Sequence, residues 1–202
     1  MSKMELRLAG SGGQGVILAS VILAEAAVQS GRYTAQSQSY GPAARGGACR
    51  AETIISDEPI GFTKVQQPDL LMALTRKALD TYARALPENC LVLVDESIDV
   101  PGDLGGRRVV SLPILRTARE TVGRVQTANV LAVGCVNELL GITDMETLKK
   151  ATLLHVPAGT EEINLRALSE GAGLASVLAA GEDAHATHSG EGFSGSPDNQ
   201  TS

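Results

Sequence analysis

The sequence predicts a single α/β domain: a mostly parallel sheet of about five or six strands, helices on both faces, and additional helices toward the C-terminus. Three observations carry this expectation. Short, nearly unbroken apolar runs alternate with segments of helical period, as in strands covered on both faces. The first apolar run enters a helix through a glycine turn, the opening of an α/β unit. The 202 residues, 43% of them hydrophobic, are enough for one sizeable core. Aromatics make up only 2% and Trp is absent, so that core must be built from Leu, Val, Ile and Ala.

Met4 to Ala9 alternates and ends at glycines, a first strand, and Gly10-Ser-Gly-Gly-Gln-Gly15 is the turn after it. From Gln14 to Ser30 apolar residues recur at helical spacing, and Gly31 stands where a C-cap is expected. Tyr33 to Ser39 reads as a second strand, Gly41 to Gly47 as a loop, and Ala48 to Ile55 as a third strand. Asp69 to Leu74, Leu91 to Asp95 and Val109 to Leu112 are apolar strands, the first two bracketing a helix over about Arg76 to Leu86. Helical patterns then cover Ile114 to Thr121 and Thr127 to Leu140. Another begins at the capping box Thr143-Asp-Met-Glu146. A last helical stretch, Glu161 to Ala180, is expected to break near Gly171 and Gly173. The domain is therefore set at residues 1–180. Residues 181–202, dominated by Gly, Ser, Asp and Thr, are expected to be a disordered tail.

The net charge is −6, and four of those charges lie beyond Gly181 (Glu182, Asp183, Glu191, Asp198) with no Lys or Arg among them. The remainder is close to balance, without the basic footprint that phosphate-backbone binding requires, so nucleic acid is not an expected partner. The apolar run Val16 to Val28 is too short and too polar to span a bilayer, and no secretory pattern is visible. The 22 glycines follow no fixed period, which excludes collagen-like and solenoid readings. Cys49, Cys90 and Cys135 are far apart and no C-x-x-C occurs, so neither a zinc site nor a cluster motif can be drawn. They read as free thiols of a cytoplasmic protein.

Gly10, Gly12 and Gly15 satisfy G-x-G-x-x-G between a strand and a helix. Glycines there let backbone N–H groups approach a phosphate at the positive end of a helix. A dinucleotide site also wants an acid at the end of the second strand, and Thr34-Ala-Gln-Ser37 supplies none. Tight packing of helix on strand explains the same glycines. In the second motif, Gln36 to Gly41 running into Ala44-Arg-Gly-Gly-Ala-Cys-Arg50, the Arg45 guanidinium stands among small residues, free for a two-pronged contact with carboxylate or phosphate. An exposed Arg in a glycine turn is the plainer explanation. Asn129 could donate into a pocket or across a subunit contact, or simply cap its helix. Asp95, at a strand end, reads equally as ligand-facing or as a cap.

Together GSGGQG at Gly10 to Gly15, QSQSYGPAARGGACRAE at Gln36 to Glu52, SDEPI at Ser56 to Ile60 and PDLLMAL at Pro68 to Leu74 resemble the gamma subunit, or gamma domain, of the 2-oxoacid:ferredoxin oxidoreductases. Ala128 to Gly134, Glu162-Ile-Asn164 and Gly171 also fall where such chains carry similar residues. The resemblance covers about Met4 to Ala175 and does not reach the tail.

The resemblance implies a subunit of an enzyme that converts a 2-oxoacid and coenzyme A to acyl-CoA and CO₂ while reducing ferredoxin. It implies partners of alpha and beta type and, in some complexes, delta type, with no membrane association. Thiamine diphosphate, magnesium and [4Fe–4S] clusters are expected on those partners, with no cofactor bound by this chain alone. 2-Oxoglutarate is the expected substrate, because this compact form resembles gamma subunits of such complexes; pyruvate and branched-chain oxoacids are the near alternatives. No catalytic residue or metal ligand is expected here. The candidates for a cleft-facing site that meets substrate or CoA are Gly12, Gly13, Gln14, Gly15, Tyr40, Arg45, Gly46, Gly47 and Asn129. A freestanding nucleotide-binding oxidoreductase and a non-catalytic assembly module are the alternative readings.

Overall fold

The computed structural model describes residues 3–40, 48–102 and 104–188, without the side chains of 40, 48 and 179–188. Strand β1 (Lys3–Ser11) leads through the glycine turn into α1 (Val16–Gln29), followed by β2 (Tyr33–Tyr40), β3 (Ala48–Ser56) and β4 (Leu70–Ala73). Then come α2 (Arg76–Tyr82), a 3-10 turn at Ala83–Ala85, β5 (Leu91–Asp95) and β6 (Val109–Leu112). The chain closes with α3 (Ile114–Glu120), a 3-10 turn at Val125–Thr127, α4 (Ala128–Leu140), α5 (Met145–His155) and α6 (Glu161–His188).

The six strands lie in the order β2-β3-β1-β4-β5-β6. β1, β4, β5 and β6 pair in parallel, whereas β3 is antiparallel to both β1 and β2. The sheet is thus mixed, parallel on one limb and antiparallel on the other. Seven residues separate β2 from β3, too few for the crossover of a dozen or more that parallel neighbours need, so the two must run opposite ways.

Alternation along the strands divides the core. Leu6, Leu8, Leu70, Met72, Leu91, Leu93, Val110 and Leu112 face one side and pack with α1, α3, α4 and the buried face of α6. Ala9, Leu71, Ala73, Val92 and Val94 face the other side and meet Ala78 and Leu79 of α2. A period of two buried on both faces is what a helix-covered sheet requires. Ser20 in the middle of α1 is fully buried, and its hydroxyl meets Thr53 Oγ1 at 2.7 Å while accepting from Gln36 Nε2 at 2.7 Å. The polar interruption of that helix is therefore a tie to β2 and β3.

Two helix boundaries depart from expectation. The cap of α5 is Asp144, whose carboxylate accepts Thr147 N–H at 2.9 Å, one residue later than the expected box. Thr143 is held instead by Asn137, which accepts from its N–H and donates to its carbonyl, both at 3.0 Å. Helix α6 runs unbroken through Gly171 and Gly173 and past Gly181 to His188. Gly171 lies where α6 crosses α4. A Cβ there would meet the Leu131 carbonyl, and one on Gly134 the Leu168 carbonyl, both closer than 3.0 Å. These glycines serve the close approach of two helices rather than a break.

The 13 residues between β3 and β4 strap across the α2 side of the antiparallel limb. Glu5 Oε2 accepts the N–H groups of Gln66 and Gln67 at 2.7 and 2.9 Å, and Arg7 Nη2 donates to Val65 O at 3.2 Å. Beneath the strap Arg7 pairs with Glu52 at 2.8 Å, both buried.

Candidate functional site

The loop after β1 sits at the carboxyl end of the parallel strands, where ligands collect in open α/β sheets. Gly15 caps α1 at φ 72°, a left-handed conformation that only glycine adopts without strain. With no side chain at the cap and no acid in the first turn, the positive end of α1 carries no protein anion of its own. Gln14 braces the loop from within: Oε1 accepts Ser11 N–H at 2.7 Å and Nε2 donates to Leu74 O at 3.3 Å. Gly12 and Gly13 are exposed at its tip. Asn129, near the start of α4 and buried, donates from Nδ2 to Gly15 O at 3.3 Å.

Strand register extends the site. Cys49 pairs with Gly10 on one side and Tyr40 on the other, and Ala48 pairs with Ser11. The backbone of Tyr40 therefore lies two strands, roughly 10 Å, from that of Gly10. Both ends of the 41–47 connection meet the same edge of the sheet as the glycine loop. The candidates Arg45, Gly46 and Gly47 lie outside the described residues, as does the Tyr40 side chain. Gly12 to Gly15 and Asn129 are the candidates the fold brings together in detail.

The remaining polar groups resolve into structural parts. Asp95 accepts Ser97 N–H at 3.0 Å and, through its other oxygen, Leu115 N–H at 2.7 Å. It therefore ties the end of β5 to its own turn and to the start of α3. His155 stands 3.9 Å from Glu25, joining α5 to α1. Cys49, Cys90 and Cys135 are free and buried. Burial pushes the Cys90 thiol up to about 11 and Cys135 to about 12, so neither is a thiolate at neutral pH. Among the described residues no group of three His, Cys, Asp or Glu could hold a metal ion, and no helix is long and apolar enough to cross a membrane.

Sequence reasoning missed the buried Glu5, Arg7 and Glu52. Their alternation with apolar residues reads as an exposed strand face, whereas the strap covers Glu5 and Arg7, Tyr82 of α2 stacks on Arg7, and Glu52 pairs with Arg7 beneath them.

Topology bears on the dinucleotide reading. In that fold the second strand lies beside the first and parallel to it. Here β1 is flanked by antiparallel β3 and by β4, with β2 one strand further out. The stretch Thr34 to Ser37 is thus removed from the place where a ribose would be held. Residues 5–174 match the pyruvate ferredoxin/flavodoxin oxidoreductase family. The chain belongs to that family. 2-Oxoglutarate synthase subunit KorC of Methanocaldococcus jannaschii is 43% identical over 179 residues, which is 87% of this chain and 96% of that protein. Ketoisovalerate oxidoreductase subunit VorA of Methanothermobacter thermautotrophicus is 36% identical over 175 residues, 84% of this chain and 36% of VorA. The solved gamma subunit of a keto/oxoacid ferredoxin oxidoreductase from Geobacter sulfurreducens PCA superposes with TM-score 0.79 at 40% identity, covering 88% of this chain and 98% of that one. Within the oxidoreductase family this is a gamma-type chain, one part of a multi-subunit enzyme.

Proposed function

We propose that the chain serves a cytoplasmic 2-oxoglutarate:ferredoxin oxidoreductase, beside alpha-, beta- and delta-type subunits. The observation that carries the substrate is the 43% identity to a 2-oxoglutarate synthase subunit along 96% of its length. The complex would convert 2-oxoglutarate and coenzyme A to succinyl-CoA and CO₂ and pass two electrons to ferredoxin. Thiamine diphosphate with magnesium, and [4Fe–4S] clusters, would supply the carbanion and electron chemistry from the partner subunits. Three cysteines, all buried, are too few for a four-cysteine cluster.

This chain's part is to bind and orient. The unpaired end of α1 at Gly15, the N–H groups of Gly12 and Gly13, and the loop carrying Tyr40, Arg45, Gly46 and Gly47 would meet the phosphates of CoA or the carboxylate of the oxoacid. Asn129 would hold the cap in place. Co-expression with alpha, beta and delta partners tests the reading. The purified complex should reduce ferredoxin with 2-oxoglutarate only when CoA is present, and at least tenfold more efficiently than with pyruvate or 2-oxoisovalerate. The chain by itself should be colourless and inactive. Preference for another oxoacid would overturn the substrate, and activity of the lone chain would overturn the division of labour.

A further inference from the structure

The sheet ends at β6, with no further strand beside it among the described residues. Its ladder with β5 is parallel; Val92 N–H donates to Arg108 O and Glu96 N–H to Leu112 O. In such a ladder alternate residues of a strand turn their backbone groups to the same neighbour. Arg108, Val110 and Leu112 therefore face β5 with theirs, and Val109 and Ser111 point theirs outward. An open edge of this kind is a template for one more strand.

Beside that edge runs a groove of about 640 Å³, with Ser111, Leu112 and Pro113 on one side and Glu170, Leu174 and Val177 of α6 on the other. Leu174 packs partly on the core, whereas Val177 is 74% exposed. Residues 170, 174 and 177 recur at helical spacing, so they form one stripe along α6. It is separate from the face at Gly171, where α6 crosses α4. Outward backbone groups and an apolar wall are the two requirements of strand addition. The first supplies ladder hydrogen bonds and the second receives alternate side chains.

Charge selects the occupant. Of the residues lining the groove, only Glu170 is charged. A second copy would bring a second Glu170 and join two chains of net charge −6. Residues 189–202 carry Glu191 and Asp198 and no Lys or Arg. Either occupant sets acid against acid, whereas a segment of another subunit can carry a base.

We propose that the groove between β6 and α6 takes an extended segment of a partner subunit as a seventh strand. Its backbone bonds to Val109 and Ser111, its alternate apolar side chains cover Leu174 and Val177, and a Lys or Arg meets Glu170. That the occupant comes from another subunit rests on the assembly proposed above. β4 and β5 stand between this edge and β1, so the contact holds the chain in the complex without entering the glycine-loop site.

The test compares hydrogen exchange of the full chain alone and in the co-expressed complex, read over residues 107–113. Assembly should slow exchange of this segment about tenfold or more. Val177→Glu should raise the Kd of the chain for the remaining subunits about tenfold or more. Ser176→Glu, which adds the same charge next to the groove rather than in it, should not. Ser111→Pro deletes an outward N–H and leaves the pairing with β5 intact, and it should weaken assembly as Val177→Glu does. Glu170→Lys should weaken it as well. An active complex whose residues 107–113 exchange as fast as in the lone chain would overturn the proposal and leave the function standing. Slowed exchange in a complex that turns over no 2-oxoglutarate would support the groove and remove the function. Slow exchange already present in the lone chain would also overturn the proposal: if lost on dilution it would assign the groove to a second copy, and if lost on deletion of 189–202, to the tail. Failure of the wild-type chain to assemble would remove both readings.

Discussion

The Asn129 carboxamide donates to the carbonyl of Gly15 at 3.3 Å, joining the start of α4 to the cap of α1 across 114 positions of sequence. The two residues are matched sterically as well. A Cβ on Gly15 would meet the Asn129 side chain closer than 3.0 Å, on a backbone already at φ 72°. The conformation of the glycine loop is therefore set partly by a helix that begins more than a hundred residues later.

Gly15→Ala should destabilise the chain by about 1–3 kcal/mol, through left-handed strain and displacement of Asn129. Asn129→Ala should lose about 1 kcal/mol, the net worth of one hydrogen bond. The double variant should lose less than the sum, since the smaller side chain at 129 relieves the crowding. Urea unfolding of the four proteins measures this coupling; strict additivity would mean that the two residues do not constrain each other.

The crossing of α4 and α6 should tolerate no side chain at its centre. In an ordinary helix Gly→Ala stabilises by up to about 1 kcal/mol. At Gly134 or Gly171 the added methyl meets backbone carbonyls that cannot move aside alone, and the substitution should destabilise by about 1–3 kcal/mol, as overpacking does. Ala at Gly173, where a Cβ would meet nothing within 4 Å, is the control and should be neutral or stabilising. Thermal melts of the three variants distinguish the outcomes.

Glu5 should make the strap acid-sensitive. Burial by itself would raise its carboxyl, but the hydrogen bond from Lys3 and the N–H groups of Gln67 and Gln66 outweigh burial and hold it below the usual 4.5. A depressed folded value means the charged form is the stabilising one. Its contribution is complete above about pH 4.5, the unfolded value, and is lost as pH falls through the lower folded value. Glu5→Gln should therefore reduce the melting temperature at pH 7 and narrow its gap from wild type toward pH 3. A gap independent of pH would mean that the charge plays no part.

Arg45 is open to kinetic test. Arg45→Ala in the assembled complex should raise the KM for CoA or for the oxoacid about tenfold to a hundredfold, the worth of one charge-assisted contact. Arg45→Lys should restore only part, because an ammonium lacks the planar fork. A complex that falls apart on size exclusion, with unchanged kinetics in what survives, would make Arg45 an interface residue instead.

The sequence alone determined the elements and the family. β5 and β6 are legible to the residue: β5 is a short apolar run ending at Asp95, and β6 alternates, with Val110 and Leu112 buried and Val109 and Ser111 exposed. GSGGQG followed by YGPAARGG is specific because two glycine motifs must coincide at fixed spacing. Tertiary structure alone decided what patterns of short period cannot encode. Gly171 has the same local signal as a helix break, and only the Leu131 carbonyl across the crossing reveals why it is glycine. Asp95 could be read as ligand or cap until Leu115 N–H was found on its second oxygen. The parallel limb was legible from its apolar strands. The antiparallel limb required knowing that β3 lies beside β1, a pairing between segments some forty residues apart. Ser111 and Val177 line one groove although α3, α4 and α5 lie between them in sequence. Hydrophobic period reports how each element is buried, whereas a groove arises from which elements become neighbours, and that is fixed by packing.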